Sequence, residues 1–316
     1  MGGLLDCFPQ RDIRATARAD GRAWADVVVK IGGSACTRKA QFETLNVEAL
    51  NAISQQLAAM PTEGFSLAVV HGAGSFGHQH AKEYGVSKGC EAALTDRLRE
   101  GFAKTRLSVT TLNKHVITAL LKEGLPAVSM SPCPFVTTER KKLRGGRLDT
   151  SALEGTRGLL QRGFVPVVHG DAVLDEAQGV AILSGDVWMV ELCRELGAKS
   201  AVFVTDVDGV FTKPPWEDGA ELVPEILVDQ RGELELKGVS MNTASHDVTG
   251  GLKAKLESAA DVLRGAPSVQ AVYIVRAGSS AAAEALRGKA PKQGTSLAPR
   301  FAGDEERGVS CESCSP

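Results

Sequence analysis

The sequence predicts a single three-layer α/β/α domain with an open, mostly parallel sheet. At least five apolar strands alternate with helical segments along the chain, which is the pattern of a doubly wound sheet. These strands are short runs rich in valine and isoleucine, as expected where helices cover both faces of a sheet. No break in composition separates independent units, so we expect one domain over residues 25–300.

Bulk composition excludes several classes of protein. Lysine plus arginine number 36 and aspartate plus glutamate 38, a balance that argues against a general nucleic-acid binder. No apolar run approaches the ~20 residues needed to cross a bilayer, so we expect no membrane segment. The seven cysteines are scattered and odd in number, which favours reduced thiols in a cytoplasmic protein. The pair Cys311 and Cys314 lacks the second ligand pair of a zinc site.

Both ends of the chain lack the patterns of folded elements. Residues 1–24 contain no secretory apolar region, and acidic residues speak against a transit peptide, so we expect a disordered leader. Residues 301–316 are charged and show no periodicity, which predicts a disordered tail.

The first strand and its turn carry a candidate ligand site. Residues 27–31 form a β-branched run, Gly32, Gly33 and Ser34 follow at once, and a helical period then runs from 45 to 57. Lys30 lies near the carboxyl end of this strand, where open α/β sheets bind ligands, and Lys39 in the connection could fold back over the turn. The plain alternative is a tight turn with two solvated lysines.

The second unit has the most distinctive turn. An apolar strand at 67–70 runs into residues 71–78, which contain three glycines and end with His78. Glycines leave backbone N–H groups open to a close ligand, as phosphate-binding loops require, although such a turn alone is a weak signal. A helical period over 94–121 then predicts one long helix or two joined near Gly101, ending at Gly124.

The middle of the chain continues the alternation. A strand is expected at 127–130, a helix at 151–162 and a strand at 164–169. The basic residues 140–147 have no interleaved aromatics, which favours a solvated hairpin or loop over a nucleic-acid patch. Ser184 or Asp186 would cap the helix at 187–196, and Gly185 would let an anion approach the N-terminus of that helix.

Two later turns also bear chemistry. The strand at 201–205 ends in Asp206 and Asp208, and carboxylates at such an edge are costly unless they are paired, solvated or bound to something. Residues 247–255 offer a second phosphate cradle through Thr249 and two glycines, with Lys255 one turn into the following helix. A short edge strand is expected within 221–228, a strand at 270–275 and a helix at 281–286.

All these turns fall where strands end or helices begin, which predicts a polyanion site along one edge of the sheet. No Walker loop occurs, and the turn at 72–77 lacks the acidic partner of a dinucleotide fingerprint.

In this order, the residues around Lys30, Asp206 and Lys255 resemble the amino acid kinase superfamily, and residues 72–78 with 182–186 are similar to the isopentenyl phosphate kinases within it. The resemblance covers roughly residues 27–296. It implies the amino acid kinase fold, with the acceptor bound by the N-terminal part and ATP by the C-terminal part. It also implies a homodimer and a prenyl phosphate substrate, with Mg²⁺ carried by ATP and not by protein ligands.

The resemblance assigns roles residue by residue. ATP would be bound by Lys30, Gly32, Gly33, Ser34, Gly74, Asp206, Gly209, Gly251 and Lys255. The acceptor phosphate would be bound by Ala73, Gly77, His78 and Gly185. Lys30, Lys39 and His78 would act at the transferring group, with Asp206 ordering the Lys30 ammonium or the metal-bound triphosphate. Ala73 and Leu252 depart from the glycine and methionine common in the family.

The expected reaction is the ATP-dependent phosphorylation of isopentenyl phosphate, a step of isoprenoid precursor synthesis. One alternative is another kinase of the superfamily, acting on a phosphonate such as fosfomycin or on a carboxylate. The other alternative is a nucleotide-binding sensor without catalysis, against which the lysines at 30, 39 and 255 argue.

Overall fold

The computed structural model describes residue 18 and residues 20–38, 40–61, 64–229, 231–238 and 250–300, with residues 250–255 described by their backbone alone. The strands are β1 (Val27–Ile31), β2 (Leu67–His71), β3 (Ala127–Met130), β4 (Thr137–Glu139), β5 (Lys142–Leu143), β6 (Val165–His169), β7 (Asp171–Asp175), β8 (Gly179–Leu183), β9 (Ser200–Thr205), β10 (Glu225–Val228), β11 (Leu234–Lys237), β12 (Ala271–Arg276) and β13 (Thr295–Pro299). The helices are α1 (Gly33–Cys36), α2 (Val47–Ala58), α3 (Gly74–Glu83), α4 (Asp96–Lys122), α5 (Thr150–Gln161), α6 (Gly185–Leu196), α7 (Gly250–Gly265) and α8 (Ser280–Leu286).

The main sheet has the strand order β11-β10-β13-β12-β9-β1-β2-β6-β3. Every pairing from β12 across to β3 is parallel, whereas β12 with β13 and β10 with β11 are antiparallel. The predicted open, mostly parallel sheet is therefore confirmed. Because β1, β2 and β6 are neighbours, their carboxyl ends lie side by side at one edge.

Two apolar cores lie on opposite faces of this sheet. Since successive side chains of a strand point to opposite faces, Val28 packs into the core that contains α5, α6 and α7, and Val29 into the core that contains α2, α4 and α8. Helices thus cover both faces, which is the predicted three-layer arrangement. The strands β1, β2 and β6 are apolar apart from Lys30, His71 and His169 near their carboxyl ends, because both of their faces are buried.

The long helical segment is one uninterrupted helix, α4. Gly101 does not break it. A Cβ atom at this position would lie 2.0 Å from the Cβ of Tyr84, at the end of α3. The glycine is therefore explained by the close packing of α4 against α3.

A second sheet of four strands, in the order β5-β4-β7-β8, was not predicted. The basic segment at 140–147 begins in the β4–β5 hairpin of this sheet, where Arg140 and Lys141 have positive φ angles of 50° and 68°. The Asp175 carboxylate accepts hydrogen bonds from both backbone N–H groups of that turn. Burial raises the pKa of Asp175, but hydrogen bonds from Lys141 and its neighbours outweigh this and lower it to about 2.

Two expectations from the sequence need correction, one on the position of a strand in the sheet and one on where packing begins. The strand expected at an edge is β10, which instead lies between β13 and β11.

Packing also begins before residue 25, since Trp24 is 7% exposed and its backbone N–H donates to the carbonyl of Leu196. Arg18 reaches the same area through a hydrogen bond to Ser66. The expectations for residues 1–17 and 301–316 lie outside the described residues. In the part of the chain that is described, no helix combines the length and apolar character needed to cross a bilayer.

Candidate active site

The two glycine turns predicted after the first two strands meet backbone to backbone. A Cβ atom on Gly33 would lie 2.6 Å from the backbone nitrogen of Gly74, and one on Gly72 would lie 2.9 Å from that of Gly33. The turns come together because β1 and β2 are parallel neighbours, with Ile31 opposite His71. Only glycine permits this approach, so the sequence feature has a direct structural reason.

A cavity of about 590 Å³ opens at these turns and reaches the start of α6. Most of the predicted site residues line it: Lys30, Gly32, Gly33, Ser34, Ala73, Gly74, Gly77, His78 and Gly185. Apolar side chains complete its wall, among them Val109, Ile182 and Leu183. The cavity therefore combines exposed turn backbone with an apolar surface.

Lys30 forms an ion pair with Asp186, a contact that the sequence did not predict. The lysine side chain is 12% exposed, and its Nζ lies 5.5 Å from the centre of the Phe203 ring. Asp186 lies in the first turn of α6, where Ser184 is the N-cap and accepts from the Asp186 N–H at 3.1 Å. The ammonium is thus held beside a helix N-terminus, and both carry positive charge that favours an anion.

Ser34 links the first glycine turn to the end of β9. Its hydroxyl donates to Asp206 Oδ1 at 2.6 Å, and the Thr205 hydroxyl donates to the same oxygen at 2.9 Å. Asp206 does not itself line the cavity. The structure therefore gives Asp206 a hydroxyl partner in the turn, while the ion pair of Lys30 is with Asp186.

Three of the acceptor-side residues, Ala73, Gly77 and His78, lie at or near the start of α3, and the fourth, Gly185, begins α6. His78 is exposed and lines the cavity. Gly77 also lines the cavity, but a Cβ atom there would lie 2.4 Å from Val109 Cγ2. Packing of α3 against α4 is thus sufficient to explain this glycine, and its contact with substrate stays a prediction.

Two buried histidines behind the turns were missed. His71 and His169 end the paired strands β2 and β6, and their rings stack with centres 5.3 Å apart. The His71 Nδ1 lies 3.0 Å from the carbonyl of Gly72, and its Nε2 lies 3.0 Å from the Asn113 amide nitrogen. Since a carbonyl only accepts, we assign the proton to Nδ1, which leaves Nε2 to accept from Asn113.

Burial and the neighbouring His169 lower the pKa of His71 to about 3, so the ring is neutral at physiological pH. Burial also lowers the pKa of His169. A His-Gly pair recurs at the end of both strands, and this repeat is the sequence signal that could have identified them.

A buried ion pair in the cavity wall was also missed. The Asp171 carboxylate accepts from Arg106 Nε at 3.2 Å and from the Ser131 hydroxyl at 3.3 Å. Burial raises the pKa of Asp171, and the neighbouring His169 and Arg106 act against that rise. No local pattern indicates this pair, because Arg106 belongs to α4 and Asp171 to β7.

The remaining predicted residues are not tested by this geometry. Lys39 lies outside the described residues, and Gly251 and Lys255 are described by their backbone alone. Gly209 does not line the cavity; a Cβ atom there would lie 2.5 Å from Thr295 Oγ1, so packing explains this glycine. The nucleotide contacts of Gly209, Gly251 and Lys255 and the role of Lys39 at the transferring group stay predictions.

Comparison with known proteins gives a consistent result. The model of the amino acid kinase family matches residues 27–276. Isopentenyl phosphate kinase of Arabidopsis thaliana is 35% identical over 83% of this chain and 90% of its own length. Isopentenyl phosphate kinase of Methanothermobacter thermautotrophicus is 37% identical over 73% of this chain and 84% of its own.

A solved structure of isopentenyl phosphate kinase superposes with a TM-score of 0.67 and 31% identity, covering 86% of this chain and 99% of that one. The matched regions include the two glycine turns and the strand that ends at Asp206. The chain therefore belongs to the amino acid kinase family and, within it, to the isopentenyl phosphate kinases.

Proposed function

We propose that the protein transfers the γ-phosphoryl group of ATP to isopentenyl phosphate, giving isopentenyl diphosphate and ADP in isoprenoid biosynthesis. The observation that carries this proposal is the composition of the cavity wall. Turn backbone, Lys30 and His78 suit a phosphate group, while Val109, Ile182 and Leu183 suit a short hydrocarbon chain. Family membership supports the same reaction.

The chemistry needs no general base from the protein. A phosphomonoester has its second pKa at about 6, so its oxygen is already a nucleophile at neutral pH. In the transfer this oxygen forms a bond to the γ-phosphorus of ATP, and the bond from that phosphorus to the bridging oxygen of ADP breaks. The protein has to hold two anions together and to stabilise the charge of the transition state.

The acceptor side supplies donors suited to that task. His78 would donate a hydrogen bond to the acceptor phosphate, acting as a clamp and not as a base. Lys30, steadied by Asp186, and the N–H groups at the start of α6 would face the transferring group. Lys39 is proposed to lie over the same group, and Ala73, Gly77 and Gly185 to contact the acceptor phosphate.

The ATP side would use the first glycine turn together with Gly74, Gly251 and Lys255. Mg²⁺ is proposed to arrive with the nucleotide. Among the described residues no group of three acidic, histidine or cysteine side chains is placed to hold a metal. Such an ion needs only one or two carboxylates besides phosphates and water, and Asp206 beside Ser34 suits that role. Bound there, Mg²⁺ would neutralise charge on the triphosphate.

A substrate panel tests the proposal. Purified full-length protein is incubated with ATP, Mg²⁺ and one acceptor at a time. The acceptors are isopentenyl phosphate, fosfomycin and acetylglutamate. We expect ADP release with isopentenyl phosphate and a new diphosphate signal by phosphorus NMR. Release of ADP with fosfomycin or acetylglutamate alone would replace the proposal by the phosphonate or carboxylate alternative. Nucleotide binding without any turnover would favour the sensor.

The role of His78 has its own test. A hydrogen bond to a charged group contributes about 1.5–3 kcal/mol, so His78→Ala should lower kcat/KM for isopentenyl phosphate roughly 10- to 150-fold. His115→Ala, at an exposed histidine of α4, is the matched control and should behave as wild type. Equal kinetics for the two variants would remove His78 from the site.

The homodimer and the cytoplasmic location are part of the same proposal. The outer face of α4 exposes Leu107 by 69% and Leu121 by 52%, which supports a contact between two copies. The four described cysteines are free, which suits a reducing compartment. Light scattering of the purified protein tests the dimer. The division of residues 25–300 into an acceptor part and an ATP part likewise stays a proposal.

A further inference from the structure

One threonine joins the two glycine turns. Thr37 follows α1 directly and is 2% exposed. Its hydroxyl donates to the carbonyl of Gly33 at 2.7 Å and accepts from the backbone N–H of Ser75 at 2.9 Å. Gly33 belongs to the first turn and Ser75 to the second, so a single buried oxygen bridges both.

This hydroxyl also takes the place of a helix cap. Ser75 lies in the first turn of α3, whose N–H groups have no partner within the helix. The N-cap residue of α3 is Ala73, which has no side-chain acceptor and makes no side-chain cap. Thr37 therefore supplies from another element the acceptor that Ser or Asp would normally supply locally.

The bridge leaves little freedom between the turns. Gly74 has a positive φ of 54°, and a Cβ atom on it would lie 2.2 Å from Thr37 Oγ1. A Cβ atom on Gly33 would lie 2.6 Å from the Gly74 nitrogen. The atoms nearest to these two added Cβ atoms are thus the Thr37 side chain and turn backbone.

Further hydrogen bonds fix the chain that leaves Thr37. The Ser75 hydroxyl accepts from the Thr44 N–H at 3.2 Å and lies 3.3 Å from the Thr44 carbonyl, to which it can donate. The Glu43 N–H donates to the Ser75 carbonyl at 3.3 Å, and the Ser108 hydroxyl donates to the Glu43 carboxylate at 2.6 Å. Thr37 and residues 43–44, which lie on either side of position 39, are therefore all hydrogen-bonded to Ser75 of the second turn.

We propose that Thr37 is a positioning residue that sets the distance between the transferring phosphoryl group and the acceptor phosphate. The inference rests on the proposed function, in which the first turn binds ATP, while Ala73, Gly77 and His78 of the second turn bind the acceptor. Each turn keeps its own N–H groups without Thr37, so each ligand still binds. Transfer, however, depends on the separation of the two phosphates, and a misplacement of about 1 Å can cost on the order of 100-fold in rate.

The test compares three threonine variants of the full-length protein. Thr37→Val removes the hydroxyl and keeps the shape, and Thr37→Ser keeps the hydroxyl. Thr156→Val is the control, because Thr156 is fully buried in α5. Its hydroxyl donates to the carbonyl of Ala152 at 2.8 Å and lies 3.6 Å from the sulfur of Met130, and neither residue belongs to a glycine turn. This control matches Thr37→Val in the chemical change made at a buried threonine.

For Thr37→Val we expect kcat to fall at least about tenfold while the KM values for ATP and isopentenyl phosphate stay within about threefold. Thr37→Ser and Thr156→Val should keep kcat within about threefold of wild type. Wild-type kcat in Thr37→Val, or an equal loss in Thr37→Ser, would overturn the proposal.

Amide exchange makes the test independent of activity. In the wild type the Ser75 N–H should be protected from solvent exchange, and Thr37→Val should exchange it at least about tenfold faster. An unprotected Ser75 N–H in the wild type would refute the bridge even if Thr37→Val does not fold. An inactive wild type with a protected Ser75 N–H would instead refute the proposed function and leave the bridge standing.

Discussion

Acid should destabilise this protein because His71, at the end of β2, is neutral in the folded state. Replacing His71 by glutamine tests that effect. The His71 ring is fully buried, stacks on His169 and accepts from Asn113, so its environment favours the uncharged form. Burial is the largest cause that lowers its pKa from 6.5 to about 3. Protonating it in the folded state would place two N–H donors where only one acceptor carbonyl is present.

The sign and size follow from proton linkage. Between the two pKa values the unfolded chain binds a proton at His71 and the folded protein does not, so stability falls as the pH falls. From about pH 7.5 to about pH 5 this difference amounts to about 2 kcal/mol. Burial lowers the pKa of His169 too and adds loss in the same direction, whereas burial raises the pKa of Asp171 and opposes it.

Urea unfolding of wild type and His71→Gln measures the effect. Each protein is unfolded at several pH values between about 5 and about 7.5, and the free energy of unfolding is plotted against pH. Both retain His169 and Asp171, so the difference between their slopes reports His71 together with its coupling to His169. We expect the wild type to lose about 2 kcal/mol more than the variant over this range. Parallel plots, or an NMR titration in which His71 protonates near 6.5, would refute the argument.

Three substitutions at the turns have defined outcomes. Gly74→Ala places an alanine in the left-handed backbone region and its Cβ in steric overlap with Thr37, so it should lower the free energy of unfolding by about 2–4 kcal/mol. Gly124→Ala also has a positive φ, but its Cβ would enter open space, so it should lower the free energy of unfolding by only about 1 kcal/mol. Thermal unfolding compares them. Lys30→Met should lower kcat at least about 100-fold at unchanged secondary structure, and Lys199→Met at an exposed lysine should not. Ser34→Ala removes the donor to the carboxylate at the end of β9 and should raise KM for ATP about tenfold with little change for isopentenyl phosphate. Equal KM changes for both substrates would contradict that assignment.

Local patterns in the sequence were sufficient for the sheet and for most of the cavity. Short β-branched strands with glycine turns at their ends predicted β1 and β2, and Ser184, one of the two candidate caps with Asp186, is the N-cap of α6. Because parallel strands end at one edge, the residues after those strands had to lie near one another. Eight of the nine predicted site residues that line the cavity lie at the ends of β1 and β2 for this reason, and the ninth, Gly185, follows β8 of the second sheet.

The partners of those residues could not be predicted in the same way. Asp186 pairs with Lys30 across 156 positions, and locally it shows only the pattern of a residue in the first turn of a helix. Thr37 has no motif of its own, and its importance depends on Ser75 lying against it. The Arg106 and Asp171 pair joins a helix to a strand of a sheet that was not predicted.

The sequence by itself determined that this is a doubly wound α/β protein with glycine turns and Lys30 at one sheet edge, because strand burial and turn conformation are local properties of residue type. Tertiary structure alone decided the order and register of the strands. That order places Gly33 against Gly74 and His71 against His169. The physical reason is that such contacts join residues from separate elements, and close packing of the whole domain fixes their distances.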